Sequence, residues 1–278
     1  MSIQINSLSY SYNKGLNNEI KALNCINLTI EPGEIVSIAG KSGSGKSTLV
    51  KHINGLIMPQ CGFVTVDGIT VGENKSELRK LRQKVGLVFQ YPEDQIFAES
   101  VKEEISFAPR NFGFSEEEIT KKVYSAMEVL GLDKEILQRN PFTFSGGYKR
   151  KIAIASILAY SPSYLILDEP TAGMDGESLL EVAAVLKSEK KKGRGIIHIT
   201  HDIELALETS DRIAVMDKGT IVFCGTPSEA MEFLCSERNN IIDIPDVLKI
   251  SFDLREKKII KELTHLPDKL AEMLGEKQ

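Results

Sequence analysis

The run Gly40-Lys41-Ser42-Gly43-Ser44-Gly45-Lys46-Ser47-Thr48 constrains this chain more than any other stretch. It follows Glu34-Ile35-Val36-Ser37-Ile38-Ala39, which alternates like a buried strand, and leads into Leu49-Val50-Lys51-His52-Ile53, which reads as a helix. A glycine-rich turn between strand and helix is the context in which a G-x-x-x-x-G-K-[ST] match denotes a phosphate site. The glycines keep side chains away, so backbone N–H groups of the loop, Ser42 and Ser44 included, can close around an anion. A helix starting near Lys46 points its positive end at the same anion. Lys46 is then within reach of the β- and γ-phosphates, and the Ser47 hydroxyl can ligate Mg²⁺. A merely flexible Gly/Ser turn would need neither the lysine nor the two flanking elements. The chain is expected to fold as an α/β protein around a nucleotide.

At 278 residues it is long for one domain and short for two full ones. A net charge of −5 gives no electrostatic case for nucleic acid or for an acidic membrane surface. Cys25, Cys61, Cys224 and Cys235 are scattered, without C-x-x-C spacing, so a reduced setting fits and a metal cluster does not. No apolar stretch reaches the roughly 18–20 residues that span a bilayer, and Met1-Ser2-Ile3-Gln4 lacks a signal pattern. Any membrane role is expected to come through a partner.

Ahead of the loop, Ile3 to Tyr10 and Ile20 to Ile30 read as strands. Tyr12, leaving the first of them before Asn13-Lys14-Gly15, can stack on an adenine ring or simply pack on the sheet. After the loop, Val85-Gly86-Leu87-Val88-Phe89 is a buried-strand candidate ending at Gln90, a polar amide where α/β sheets bind ligands. Gln90 is thereby a candidate for Mg²⁺ or the attacking water. From about 99 to 160 the pattern turns helical (Val101 to Ala108, Ser115 to Leu130, Ser145 to Ala159), an insertion into the α/β domain. Within it Ser145-Gly146-Gly147 opens a helix, a second possible anion site. Tyr164-Leu165-Ile166-Leu167-Asp168-Glu169 then delivers two acids to a sheet edge. Asp168 is placed to hold Mg²⁺ through water, and Glu169 to polarise a water for attack on the γ-phosphate. The strand Gly195 to Thr200 ends likewise at His201, whereas His198 inside it reads as a core residue. Ile213 to Met216 and Thr220 to Phe223 form a closing hairpin, and short amphipathic helices follow Pro227.

Together these pieces resemble an ABC-type ATPase subunit over roughly residues 2–235. Phe144-Ser145-Gly146-Gly147-Tyr148 matches the signature segment, Leu165 to Glu169 the acidic strand, Thr171-Ala172-Gly173-Met174-Asp175 the D-loop, and Ile199-Thr200-His201-Asp202 the switch region. The finer resemblance is to energy-coupling factor (ECF) ATPases. It rests on Gln90-Tyr91-Pro92-Glu93-Asp94-Gln95-Ile96-Phe97, Asn111-Phe112-Gly113, Pro170-Thr171-Ala172-Gly173 and the extra C-terminal helices. The insert Gly15 to Ile20 is more like the second, A-prime type.

The resemblance implies a P-loop NTPase fold with an antiparallel β subdomain, a helical insertion and a small helical appendage. It divides the chain into an ATPase domain at 1–235 and a helical dimerisation or interaction domain at 236–278. It implies ATP and Mg²⁺ as cofactors, Tyr12 stacked on adenine, Gln90 on Mg²⁺ and relaying motion, and His201 sensing the γ-phosphate. Ser145 and Gly147 would contact the γ-phosphate held by an opposite subunit, and Asp175 would tie the two sites together. The implied partners are a second ATPase, like or unlike, a membrane coupling (T) subunit and a substrate-binding (S) subunit. Such a protein works peripherally on the cytoplasmic face of the cell membrane, powers uptake of a vitamin or other micronutrient, and needs no nucleic acid. A soluble ABC ATPase acting on an assembly or nucleic-acid partner is the alternative, but it calls for a long heptad-patterned insertion or a fused second domain. One departure stands out: Tyr148 occupies the place where the family usually has Gln.

Overall fold

Alternation along the first strand poses a problem of parity, since Ile3 and Ile5 would face one way and Leu8 the other. In the computed structural model, which describes residues 1–72, 74–170, 176–236 and 241–275 (176–181 as backbone), a bulge resolves it. Ser7 adopts φ 48°, and pairing of β1 (Ile3–Tyr12) with β2 (Ile20–Ile30) shifts register between Ile5 and Leu8. All three apolar side chains thereby enter one core. The strand also runs on past Tyr10, carrying Tyr12 forward.

β1 and β2 join β4 (Cys61–Val66) and β5 (Ile69–Thr70) in an antiparallel sheet of order β2-β1-β4-β5. The second sheet has the order β10-β9-β3-β8-β7-β6. It comprises β3 (Ile35–Ala39), β6 (Val85–Val88), β7 (Tyr164–Asp168), β8 (Gly195–Thr200), β9 (Arg212–Asp217) and β10 (Thr220–Gly225). Pairings from β9 through to β6 are parallel, and β10 closes the edge antiparallel. Every residue of β3, β6, β7 and β8 is buried, as expected of parallel strands covered on both faces.

β7 divides its side chains between two cores. Tyr164 and Ile166 face the core between the sheets, together with Leu49, Val50 and Ile53 of α1 (Lys46–Ile53). Leu165 and Leu167 face the core under the helical insertion, formed by α3 (Val101–Phe112), α4 (Glu116–Val129) and α5 (Gly146–Leu158). α4 starts with a reciprocal Ser115–Glu118 capping box. α3 outlasts its expected end at Ala108: Pro109 sits buried in the last turn, and Gly113 (φ 87°) terminates the helix.

The charged segment after β5 forms α2 (Lys75–Lys84), capped by Asn74. α6 (Gly176–Lys191) and α7 (Ile203–Thr209) flank β8. At the C-terminal end lie α8 (Pro227–Ser236), α9 (Asp246–Glu256) and α10 (Pro267–Gly275). Ile242, Leu248 and Leu263 share an apolar cluster with Ile203, Leu207, Val215 and Leu234, so this segment is packed on the body. Among the described residues no helix is long and apolar enough to cross a membrane.

Candidate functional site

The phosphate loop spans the step from β3 to α1, and distant backbone holds its shape. Gly45, at φ 108°, precedes the first turn of α1, and a Cβ there would meet Ala22 O at 2.5 Å. A Cβ on Gly40 would clash with Met216 O. Neither position accepts a side chain, for want of space as much as for backbone angle. The turn between β9 and β10 braces the loop from outside: Gly219 N–H donates to Ser44 O at 2.9 Å, and Asn24 N–H donates to Gly219 O at 2.8 Å. Lys46 is buried within this frame and donates from Nζ to Gly40 O (2.6 Å) and Lys41 O (3.0 Å). Burial pushes its ammonium pKa down, against the pull of Glu169 and Asp168.

β7 delivers the two acids to the same place. Asp168 is buried, and burial raises its pKa, helped by Glu169 and opposed by a hydrogen bond from Ser47 and by Lys46. Its Oδ1 is buried without a hydrogen-bond partner. Glu169 leaves the strand at φ 48°, a left-handed conformation unusual for a non-glycine residue, with its N–H on Ile199 O at 3.0 Å. Among the described residues, three side chains surround its carboxylate. Gln90 Nε2 donates to Oε2 at 3.2 Å, Lys46 Nζ lies 3.9 Å from Oε1, and His201 Nδ1 lies 3.6 Å from Oε2. Gln90, Glu169 and His201, drawn from the ends of three strands, thus meet at the loop lysine. A carboxylate so placed can accept a proton from a water beside a bound phosphate.

The Tyr12 hydroxyl is 3.2 Å from Thr48 Oγ1 at the far end of the loop, and its ring meets Tyr10 edge-on at 5.0 Å. Tyr10 packs on the core and against His52. His52 Nδ1–H donates to Thr48 O at 2.8 Å, and burial lowers its pKa. His198 is the core residue expected: wholly buried, 3.3 Å from Ser37 Oγ through Nδ1, with burial driving its pKa down to about 4.

The signature residues stand apart. Ser145, Gly146 and Gly147 are exposed at the start of α5, the Ser145 hydroxyl makes no capping bond, and a Cβ on Gly43, Gly146 or Gly147 would touch nothing within 4 Å. Within one chain the signature therefore does not cover the phosphate loop. Tyr148 stacks on Phe144 at 5.6 Å, and the Arg139 guanidinium lies 4.3 Å from the Phe144 ring. Asp175 and the rest of the expected D-loop, 171–175, lie outside the described residues.

One feature escapes the sequence reading. Arg150, buried on α5, holds Glu93 through both oxygens, Nε to Oε2 at 3.0 Å and Nη2 to Oε1 at 2.9 Å, and gives Nη1 to Pro170 O at 3.2 Å. Burial would raise the Glu93 pKa, but the hydrogen bonds and charge of Arg150 prevail and hold it low.

Sequence comparison agrees with this geometry. The ABC transporter family matches residues 23–172. The chain is 42% identical, over 92% of its length and 91% of the relative's, to the energy-coupling factor transporter ATP-binding protein EcfA2 of Clostridium perfringens. It is equally similar to the EcfA2 of Caldanaerobacter subterraneus, at 42% over 93% and 91% of the two chains. Among solved structures it resembles cbiO1 from Clostridium perfringens, part of the ABC transporter complex cbiONQ, with TM-score 0.75 and 33% identity over 91% of this chain and 98% of that one. It also resembles the ATP-binding cassette MJ0796, solved as a dimer in a post-hydrolysis state with ADP and Pi (TM-score 0.73, 30% identity, 81% and 98% covered). The chain is an ABC-type ATPase, a member of the ABC transporter family and, within it, of the energy-coupling factor group of ATP-binding proteins.

Proposed function

We propose that this chain hydrolyses ATP at the Lys46–Glu169 centre as one half of an ATPase pair that powers an energy-coupling factor importer. The observation that carries the reading is the Glu169 carboxylate, held at the mouth of the phosphate loop by Gln90, Lys46 and His201. The phosphates of ATP lie on the N–H groups between Gly40 and Thr48 and on Lys46, and Tyr12, beside Thr48, takes the adenine. Ser47, Asp168 and Gln90 are the residues that would hold Mg²⁺. A hydroxyl, an amide oxygen and a buried carboxylate with one unpartnered oxygen fit a hard divalent cation. When bound, Mg²⁺ neutralises charge on the β- and γ-phosphate oxygens. Glu169 takes a proton from the attacking water, and His201 orients that water and reports the γ-phosphate.

Ser145, Gly146 and Gly147, exposed here, serve the nucleotide of the opposite ATPase, and Asp175 joins the two sites. The second ATPase is an unlike chain, and residues 236–278 strengthen the pair beyond the ATPase domain at 1–235. The membrane-facing side is the groove of about 320 Å³ just beyond Gln90, where Phe97 and Phe107 meet edge-on at 4.8 Å and are each about half exposed. Exposed aromatic pairs beside a groove suit docking of an apolar segment. A membrane coupling (T) subunit occupies it and a substrate-binding (S) subunit selects the micronutrient, which keeps this chain at the cytoplasmic face of the membrane without a span of its own.

A mild-detergent pull-down of the tagged chain from its own organism tests the reading. A small polytopic membrane protein with a second ABC ATPase is the expected result. The membrane protein without a second ATPase would indicate a homodimer, and soluble partners alone would remove the transport reading.

A further inference from the structure

We propose that Arg150 is a positioning residue that ties the signature helix to both segments carrying the hydrolytic centre, so that the place of α5 sets how Gln90 meets Glu169. Two non-glycine residues beside the site sit in left-handed backbone, Tyr91 at φ 55° and Glu169 at φ 48°. Such conformations cost free energy and persist only where their surroundings hold them. Each is followed by an attachment to Arg150. Glu93, two residues past Tyr91, is gripped by the guanidinium fork, and Pro170, next after Glu169, accepts from Nη1.

The same fork begins five residues into the helix that Ser145 opens. Glu93 itself lies in the short turn Pro92–Gln95, closed by Asp94 N–H on Tyr91 O at 3.1 Å. A second carboxylate, buried Glu104, fixes the far end of the segment by accepting from Phe97 N–H (3.1 Å) and Ala98 N–H (2.9 Å). The segment from Gln90 to Ala98 is thus anchored at two points, one of them on α5. Of the two anchors, Arg150 also reaches the backbone just past the acidic strand, at Pro170 O. A displacement of α5 therefore pulls on Gln90 and Glu169 together, and the 3.2 Å contact between them is set by where the helix lies. Arg suits the task and Lys does not, because a planar fork fixes orientation where an ammonium fixes only charge.

This inference rests on the roles proposed above for Gln90 and Glu169, so Glu169→Gln runs beside it as an independent check on them. The full chain, in the assembly in which it hydrolyses ATP, is compared with Glu93→Gln, Arg150→Lys, Arg150→Ala and the double variant Arg150→Ala/Glu93→Ala. Turnover is expected to fall at least about tenfold in Glu93→Gln and Arg150→Ala with KM for ATP within about twofold. Arg150→Lys should recover only part of it, and the double variant should be no worse than Arg150→Ala, since the two groups act as one. Nucleotide affinity, read with a fluorescent ATP analogue, reports folding of each variant. Should Arg150→Ala fail to fold, Glu93→Gln, nearly isosteric, carries the test. Turnover within about twofold of the parent in Glu93→Gln, or independent losses that multiply in the double variant, would overturn the proposal. Unchanged turnover in Glu169→Gln would instead remove the catalytic assignment.

Discussion

Replacing Glu169 by Gln keeps the shape of the side chain and removes its charge, which separates two effects of one carboxylate. The first is on rate. Loss of a positioned general base lowers turnover by about 10²–10⁴, or about 3–5 kcal/mol of barrier. The second is on binding. Lys46 shares its charge with a carboxylate 3.9 Å away, an attraction on the order of 4 kcal/mol at an effective dielectric of 20. Water reaches Glu169, whose side chain is 21% exposed, so only part of that passes to the nucleotide. About 1 kcal/mol gives about fivefold tighter binding. Glu169→Gln should therefore hydrolyse at least about 100-fold more slowly while binding ATP more tightly. Phosphate release under saturating ATP measures the first, and titration with a fluorescent analogue the second. Turnover within about threefold of the parent would refute the assignment of the base, and weakened ATP binding would refute the electrostatic reading of the Lys46 pair.

Other expectations follow from neighbouring groups. Asp168→Asn should raise the Mg²⁺ concentration for half-maximal hydrolysis at least about tenfold while metal-free nucleotide binding persists, measured by titrating Mg²⁺ at fixed ATP. Tyr148→Gln should change hydrolysis or nucleotide preference at the site completed by this signature without preventing its closure, and steady-state rates unaltered with ATP and GTP would make the tyrosine neutral. His198 is held neutral by burial, with a pKa of about 4 against an ordinary 6.5, so the unfolded chain binds the extra proton between those values. Its contribution is intact above about pH 6.5 and lost as pH falls toward 4, about 3 kcal/mol in all. Denaturant unfolding of His198→Gln should show a shallower acid limb than the parent, and identical limbs would rule this out.

The centre was legible because its parts are local. Gly40 to Thr48, Asp168-Glu169, Gln90 and His201 each end or follow a continuous apolar strand, and a parallel sheet brings such ends to one edge. What was not legible depends on pairs far apart in the chain. Arg150 and Glu93 are separated by 57 residues and carry no local signal, and only the fold turns Glu93 inward onto α5. The bulge at Ser7 escapes for a similar reason, since only the facing strand demands the change of parity. The end of α3 lay beyond the expected Ala108 because the helix carries Pro109 at the loss of one N–H bond and closes only at Gly113.

The brace on the phosphate loop bears on how the chain is made. Gly40 rests against Met216 O, and Ser44 O accepts from Gly219 N–H, so residues more than 170 positions later in the chain shape this loop. Synthesis proceeds from the N-terminus at about 5–20 residues per second. Every residue from Lys46 to His201 has been joined to the chain before the turn that steadies the loop exists. A nascent chain of that length carries the loop and its lysine without the Gly219 N–H that holds Ser44 O, so this brace on the loop is added only when the last hairpin closes.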